Sequence, residues 1–353
     1  MLKILPVAGA NVWHGKDMAQ SARWRRRLTP AQLAEIDAAV HGARGRRLSW
    51  EETSAEDFPL PGLASLCEDI REELENGSGL LMLQGIDVDR YDPAELKLIY
   101  AGICRQVGTL VFSNRGGEVM REIRDVGADV GKRYGQLPGD GFLSSYSRTL
   151  SNGSLRYHTD RCDVVTLFCI RQAMKGGLSK LCSSPAVHNA MLERRPDLAA
   201  ALYENVWRSR FGEEDEGDTL GYPLPVWGVR DGKFTSHYSR TFVEAGQRQP
   251  GAPRVSPAQW EALDMLSDLA DELSFEMCFT PGDIQFVNNH VIYHARSAFE
   301  DDAGAGQDRL LLRLWMAVPN SRALPPGHEV LWGKIDAGAR RGGIGQTATA
   351  PLR

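Results

Sequence analysis

Short apolar segments with the length and composition of buried strands recur through most of the chain, and they constrain its fold more than any other feature. Turns or helices separate them without the regular strand–helix alternation of a parallel sheet, and no GxGxxG follows a strand, which argues against a dinucleotide-binding fold. We therefore predict an α+β protein: a double-stranded β-helix (jelly-roll) core with flanking and inserted helices. The segments are LLMLQGI (80–86), LRYHTDRCDVVTLFCI (155–170), LSKLCSS (178–184), IQFVNNHVIYHA (284–295) and RLLLRLWMAVP (309–319).

Helix signals and changes in composition divide the chain into three parts. Residues 1–60 form a polar, irregular extension with one clear helix, which begins at the N-cap Thr29 followed by proline. Residues 61–335 are expected to form a single jelly-roll domain with helical insertions, and residues 336–353 a flexible tail. The stretch 114–154, rich in Gly, Ser and Arg, is predicted to be a long loop of the kind that often binds or covers a ligand. Further helices are expected at 62–76, 92–107, 184–195, 196–205 and 256–273.

Composition excludes several classes of protein. Of the 353 residues, 42% are hydrophobic, which allows a sizeable core, and the formal net charge of -5 provides no positive field for nucleic acid. No segment reaches the roughly 18 apolar residues needed to cross a bilayer. The six cysteines include no CxxC pair and fit free thiols in a reducing compartment. We therefore expect a cytoplasmic protein with a small-molecule partner and no nucleic-acid or membrane contact; the sequence leaves a homo-oligomer open.

A histidine and an aspartate stand two residues apart in LRYHTDRCDVV (155–165). On a strand, residues i and i+2 point to the same face, so His158 and Asp160 can approach one point. A second histidine would complete the two imidazoles and one carboxylate that hold non-haem Fe(II) while leaving other positions open. An HxD pair also arises by chance in a chain with eight histidines, so the pair alone favours an ordinary surface strand over a metal site.

The segment PGDIQFVNNHVIYHARSAF (281–299) offers two candidates for the second histidine. His290 and His294 are four residues apart on one predicted strand, and period-two alternation allows both to face inward. Arg309 and Arg313 have the same spacing on the next apolar strand. Buried arginines are costly unless they meet anions, and a guanidinium grips a carboxylate through paired hydrogen bonds. The two arginines therefore indicate either binding of a dicarboxylate or internal salt bridges.

Four motifs, in this order, resemble those of the taurine dioxygenase/TfdA-like family of Fe(II)- and 2-oxoglutarate-dependent oxygenases, including its clavaminate synthase-like branch. The resemblance runs from about residue 80 to residue 335 and is densest from 155 to 319. Each motif is weak by itself, and the four together are specific. They are HTD at 158–160, GGLS at 176–179, PGDIQFVNNHVIYHAR at 281–296 and DRLLLRLW at 308–315.

The resemblance implies an iron site. His158 and Asp160 match the first two iron ligands of the family. His294 matches the third, because it directly precedes Ala-Arg in the family's HxR pattern, which leaves His290 as its competitor. Asn289 and its neighbour Asn288 resemble residues that form the turn or support the ligands.

The resemblance also implies sites for the co-substrate and the substrate. Arg309 matches the arginine that pairs with the distal carboxylate of 2-oxoglutarate. Ser179 stands where a threonine usually assists that arginine, and its hydroxyl allows the same contact. Arg313 matches a position that often meets an anionic group of the substrate, and Tyr157 is a further candidate contact. The loop 114–154 and the segment FTSHYSRTF (234–242) are candidate pocket walls.

The resemblance implies an enzyme that uses Fe(II), 2-oxoglutarate and O2 to oxidise an unactivated C–H bond of a small, anionic, carboxylate- or amino-acid-like substrate, releasing succinate and CO2. Hydroxylation is the usual outcome in the family, and desaturation or cyclisation in secondary metabolism is the alternative. A metal-binding jelly-roll protein without turnover would keep the three ligands and would not need Arg309. A zinc hydrolase would need a general base, and no HExxH or comparable spacing is present.

Overall fold

The computed structural model describes residues 4–127, 148–210 and 219–345. Three of its longest helices begin at the N-caps that the sequence indicates, Thr29, Asp92 and Ser256, and each of these caps forms a reciprocal capping box with the residue three positions on. The helices are α1 (Gly15–Gln20), α2 (Pro30–Gly45), α3 (Ala64–Glu75), α4 (Pro93–Val107), α5 (Ser184–Arg194), α6 (Pro196–Ala201), α7 (Arg240–Gln247), α8 (Pro257–Leu273) and α9 (Glu329–Trp332). No helix in these ranges is both long and apolar enough to cross a bilayer.

The strands are short, as the sequence predicts. In chain order they are β1 (Arg25–Arg27), β2 (Leu80–Gln84), β3 (Thr109–Val111), β4 (Arg121–Ile123), β5 (Leu155–His158), β6 (Val164–Arg171), β7 (Lys175–Gly176), β8 (Ser179–Ser183), β9 (Val206–Ser209), β10 (Gly221–Leu224), β11 (Trp227–Arg230), β12 (Lys233–Ser236), β13 (Phe275–Met277), β14 (Ile284–Asn288), β15 (Ile292–Arg296), β16 (Phe299–Glu300) and β17 (Leu310–Ala317).

Two facing sheets form the core. The major sheet has the order β1–β2–β14–β6–β17–β3, with β4 also paired to β17, and the minor sheet has the order β13–β8–β15–β5. Strand β1 runs parallel to β2, and the other pairs in these sheets are antiparallel. The inner faces share one hydrophobic cluster, in which Val165 and Leu311 of the major sheet pack with Leu181 and Ile292 of the minor sheet. The predicted α+β fold with a jelly-roll core is confirmed.

Helices cover the outer face of each sheet. Helices α2, α3 and α4 pack on the major sheet, where Phe168 and Leu312 point away from the core between the sheets. Helices α5, α6 and α8 pack on the minor sheet, where Cys182 and Tyr293 point outward. Because side chains alternate along a strand, the residues next to these in sequence point inward, toward the space between the sheets.

Two segments that the sequence predicts as single strands are each divided between the sheets. Residues 155–170 contribute β5 to the minor sheet and β6 to the major sheet. Residues 284–295 contribute β14 to the major sheet and β15 to the minor sheet. His290 therefore lies in the turn between two strands, and the prediction that it shares one strand face with His294 is wrong. Asp160 likewise lies two residues beyond the end of β5.

The two ends of the described chain pack against the core. Trp13 and Trp24, from the polar N-terminal part, both contact Phe275 of the minor sheet, with ring centroids 5.9 and 5.6 Å apart respectively. Arg341 and Ile344 are 3% and 2% exposed, so this part of the predicted flexible tail is packed, whereas residues 336–338 and 340 are exposed. Residues 346–353, and residues 128–147 of the predicted long loop, lie outside the described ranges.

Candidate active site

The divided strands bring the two predicted histidine ligands together. His158 ends β5, and His294 lies directly opposite it in the antiparallel β5–β15 pair. Their imidazole rings are 4.2 Å apart between centroids. Asp160 lies in the connection between β5 and β6, and its carboxylate approaches both of these imidazole rings.

The three side chains have the geometry of a set of metal ligands. Nε2 of His158 is 3.7 Å from Oδ1 of Asp160, and Nε2 of His294 is 3.9 Å from Oδ2. All three ligand atoms lie within 4.8 Å of one another. A metal about 2.1 Å from its nitrogen and oxygen ligands would draw these three atoms closer together. Two imidazoles and one carboxylate on one side of a site suit Fe(II), so the residues fit this metal.

The electrostatic environment keeps these ligands in the protonation states that metals require. Burial alone would raise the pKa of Asp160, but Arg313, His294 and His158 together hold it below its usual value. Burial, reinforced by His158, lowers the pKa of His294 to about 3. A carboxylate and a neutral imidazole therefore face the site near neutral pH. Nδ1 of His158 lies 2.9 Å from the carbonyl of Arg156, which leaves Nε2 free for a metal.

Two further residues hold Asp160 in place. The indole Nε1 of Trp315 donates to Oδ2 of Asp160 at 2.9 Å. The backbone N–H of Asp160 donates to Oδ1 of Asn289 at 3.0 Å. Period-two alternation from Arg313 along β17 places both side chains on the inner face.

One pocket beside the metal ligands contains the predicted co-substrate residues. Arg309 and Ser179 line it together with His158, Asp160 and His294. The Arg309 guanidinium is buried next to the Phe299 ring, 5.3 Å from its centroid, and its Nη1 has no hydrogen-bond partner among the described residues. A buried, unpartnered N–H of a cation is costly, and a carboxylate would satisfy it. The pocket therefore fits the distal end of a dicarboxylate.

Gly177 provides the space for this arginine. Its φ of +65° is a conformation that L side chains rarely adopt, and a Cβ there would lie 3.1 Å from Nε of Arg309. Arg296 lines the same pocket, and its Nε and Nη1 have no partner among the described residues. The sequence analysis missed Arg296, although its place two residues after His294 on β15 indicates the same inward face.

A second pocket opens on the other side of Asp160. Arg313 reaches it, with Nη1 3.7 Å from Oδ2 of Asp160 and the guanidinium over the Trp315 ring. His237 lies in the same wall, 3.1 Å from Oγ1 of Thr159, so the segment 234–242 does contribute to the pocket as predicted. Other residues lining it are Tyr222, Ser239, Phe242 and Leu331.

Two expected residues face elsewhere. Tyr157 points to the helices that cover the minor sheet and donates to Ser274 at 2.8 Å, because it alternates with the inward-facing His158. The prediction that Tyr157 contacts substrate is therefore wrong. His290 lies between Thr235 and Asp163, with each ring nitrogen 2.9 Å from an oxygen, and it does not reach the other ligands.

Comparison with known proteins shows the family to which the chain belongs. The profile of the taurine catabolism dioxygenase TauD, TfdA family matches residues 45–315. FR-33289 synthase of Streptomyces rubellomurinus is 30% identical over 334 residues, which cover 92% of this chain and 95% of the relative. The taurine hydroxylase-like protein SAT17 of Stachybotrys chartarum is 33% identical over 314 residues, covering 85% and 77%.

Solved structures agree in fold. An asparagine oxygenase in complex with Fe(II), 2S,3S-3-hydroxyasparagine and succinate has a TM-score of 0.63 at 15% identity, covering 83% of this chain and 93% of that one. The non-haem iron oxygenase OrfP in complex with Fe and alpha-ketoglutaric acid has a TM-score of 0.60 at 16% identity, with the same coverage. The match over most of the chain shows that this protein belongs to the taurine catabolism dioxygenase TauD, TfdA family of iron- and 2-oxoglutarate-dependent oxygenases.

Proposed function

We propose that this enzyme holds Fe(II) with His158, Asp160 and His294, and holds the distal carboxylate of 2-oxoglutarate with Arg309 and Ser179. When bound, Fe(II) and 2-oxoglutarate supply, with O2, the oxidation of a substrate C–H bond and the release of succinate and CO2. The observation that carries the proposal is the convergence of three metal-type ligands and a buried guanidinium with an unpartnered N–H on one pocket.

The chain's own residues prepare the site before any ligand arrives. Trp315 and Asn289 hold the side chain and the backbone of Asp160, so the carboxylate needs little reorganisation to take a metal. Arg309 lines the same pocket with its unpartnered Nη1, which would orient 2-oxoglutarate by holding its distal carboxylate. The apolar side chains of Val165 and Phe279 line the space between and limit the water there.

The substrate is proposed to be small and anionic, of carboxylate or amino-acid type. In the second pocket, Nε of Arg313 has no hydrogen-bond partner among the described residues. Asp160 is the one described carboxylate that lines this pocket, and it faces the metal site. Arg313 has this one nearby carboxylate, and its unpartnered Nε favours an anionic group of the substrate.

Hydroxylation is the proposed outcome. The asparagine oxygenase was crystallised with 2S,3S-3-hydroxyasparagine, and OrfP with (3S)-hydroxy-L-Arg. Both ligands are hydroxylated amino acids, and the pocket around Arg313 suits a carboxylate of that kind. We further propose that residues 61–335 form one oxygenase domain and that the enzyme works in the cytoplasm, since its six cysteines are all unpaired.

The first test is an anaerobic titration of the Fe(II)-loaded protein with 2-oxoglutarate, which should produce a weak visible charge-transfer band. In Arg309→Ala the half-saturating concentration should rise about 10-fold or more, because a hydrogen bond to a charged group contributes about 1.5–3 kcal/mol. Iron affinity should stay near the wild-type value. Arg254→Ala, at an exposed arginine, is the matched control and should titrate like the wild type. Unchanged 2-oxoglutarate binding in Arg309→Ala would remove Arg309 from this role.

A second test separates the two histidines. His294→Ala should lose stoichiometric iron, whereas His290→Ala should still bind one iron at saturating Fe(II). The opposite result would identify His290 as the third ligand. Iron binding without any charge-transfer band or succinate formation would instead favour a metal-binding protein without turnover.

A further inference from the structure

We infer that the C-terminal segment 341–344 supports the metal site and that Arg341 is a positioning residue for Asp160. The inference rests on the proposed metal site. The segment lies beyond residues 45–315, which match the family profile. Its support for the site is visible in one buried carboxylate and one backbone contact.

The buried carboxylate is that of Asp163, which the Arg341 guanidinium contacts directly. Nε of Arg341 donates to Oδ1 of Asp163 at 2.8 Å, and both side chains are at most 1% exposed. Nη2 of Arg341 donates to the carbonyl of Arg322 at 2.6 Å, and Nη1 donates to that of Asp336 at 3.2 Å. Every nitrogen of the guanidinium is thus engaged, which holds the segment in one orientation.

Asp163 connects this arginine to both strands that supply metal ligands. Its Oδ1 lies 2.9 Å from Nε2 of His290, in the turn that leads into β15 and His294. The neighbouring Asn289 donates its backbone N–H to the carbonyl of Asp163 at 2.9 Å and accepts the N–H of Asp160 at 3.0 Å. One buried carboxylate therefore joins the C-terminal segment, the turn before His294 and the connection that carries Asp160.

A backbone contact reinforces this arrangement. The N–H of Gly343 donates to the carbonyl of Arg161, the residue directly after Asp160, at 2.7 Å. Gly342 has a φ of +72°, and a Cβ there would lie 2.8 Å from the same carbonyl oxygen. Glycine thus permits the close approach of the segment to the ligand-bearing connection.

Loss of Arg341 should therefore act on iron binding. Without it, the carboxylate of Asp163 keeps, among the described residues, hydrogen bonds to His290 and, at 3.3 Å, to the backbone N–H of Val318. Relaxation of Asp163 would shift the connection that begins at Asp160. Residues that orient metal ligands typically change metal affinity by about 10- to 100-fold when removed.

The experiment compares two adjacent arginines in the full chain. The dissociation constant for Fe(II) is measured anaerobically against a chelator in wild type, Arg341→Ala, Arg341→Lys and Arg340→Ala, with circular dichroism to verify folding. Arg340 is exposed and serves as the matched control. We expect the constant to rise about 10-fold or more in Arg341→Ala, less in Arg341→Lys, and not at all in Arg340→Ala.

A stability-matched control distinguishes positioning from general destabilisation. Leu198 is 2% exposed in α6, in the hydrophobic cluster outside the minor sheet, and Leu198→Ala should lower Tm without touching the metal site. If Arg341→Ala lowers Tm as Leu198→Ala does while its iron affinity stays within about twofold of wild type, the inference is overturned. If Arg341→Ala does not fold, Arg341→Lys and Gly342→Ala decide by the same criterion. Failure of the wild type to bind iron in a His158-dependent manner would overturn the proposed site and this inference together.

Discussion

Replacement of Trp315 by phenylalanine isolates one hydrogen bond to a metal ligand. Phenylalanine keeps most of the aromatic volume in a position that is only 4% exposed, and it removes the N–H that Trp315 donates to Oδ2 of Asp160 at 2.9 Å. The packing change is therefore small compared with the electrostatic change at the carboxylate. Iron affinity should fall, because the carboxylate is no longer held in its binding orientation.

The magnitude follows from the contacts that remain. A hydrogen bond to a charged group contributes about 1.5–3 kcal/mol, which corresponds to about 10- to 150-fold in a dissociation constant. Arg313, 3.7 Å from the same oxygen, and Asn289, which holds the backbone of Asp160, both stay in place. We therefore expect the lower end of this range, about 10-fold weaker Fe(II) binding.

The assay is anaerobic Fe(II) titration against a competing chelator, with Trp24→Phe as the control. Trp24 is equally buried and donates its indole N–H at 2.9 Å to the carbonyl of Met18, away from the ligands. Trp24→Phe should lose thermal stability and keep its iron affinity. The reasoning is refuted if Trp315→Phe binds iron within about twofold of wild type, or if both variants weaken binding equally.

Three further predictions concern the co-substrate pocket, one wrongly expected contact and the dependence of stability on pH. Gly177→Ala should displace Arg309 and thereby raise the 2-oxoglutarate concentration needed for half-saturation about 10-fold. Gly232→Ala is the control, because Gly232 also has a positive φ but a Cβ there would meet open space. Equal titrations of the two variants would contradict this account of Gly177. Tyr157→Phe should leave both KM values unchanged and reduce the free energy of unfolding by about 1 kcal/mol through its lost bond to Ser274; a raised KM for substrate would restore Tyr157 to the site. Burial lowers the pKa of His328 to about 4, below the value of about 6.5 that it has in the unfolded state. The unfolded state therefore takes up a proton first, and the free energy of unfolding falls as the pH drops from about 6.5 to about 4. Between pH 7 and pH 5 the wild type should lose about 2 kcal/mol more than His328→Gln in urea unfolding, and parallel curves would contradict a neutral His328.

The predicted site agrees with the structure where a local rule determines the position of a side chain. Arg309 and Arg313 line the same pocket, as their spacing of four residues predicts, although Arg309 directly precedes β17 and the pairing of β17 with β6 shifts register at Leu310/Leu311. The N-caps Thr29, Asp92 and Ser256 were also identifiable, since a capping box depends only on residues three positions apart.

The remaining features depend on contacts between distant segments. Nothing in IQFVNNHVIYHA indicates that its first half joins one sheet and its second half the other; that division follows from the pairing of β14 with β2 and of β15 with β8. Tyr157 could have been placed from the sequence, because alternation along β5 puts it on the face opposite that of the predicted ligand His158. The packed segment around Arg341 was missed because its partner, Asp163, lies 178 residues away.

The strand order of the major sheet has a consequence for the synthesis of the protein. Strand β2 pairs with β14, whose residues leave the ribosome about two hundred positions later, and β6 needs both β14 and β17. During translation the apolar strands β2 and β6 are therefore synthesised before the strands that pair with them. This makes folding slow and the nascent chain prone to aggregation. His294 arrives with the same late segment. Iron acquisition should accordingly be one of the last events in maturation, and expression at low temperature or with chaperones should increase the metal-competent fraction.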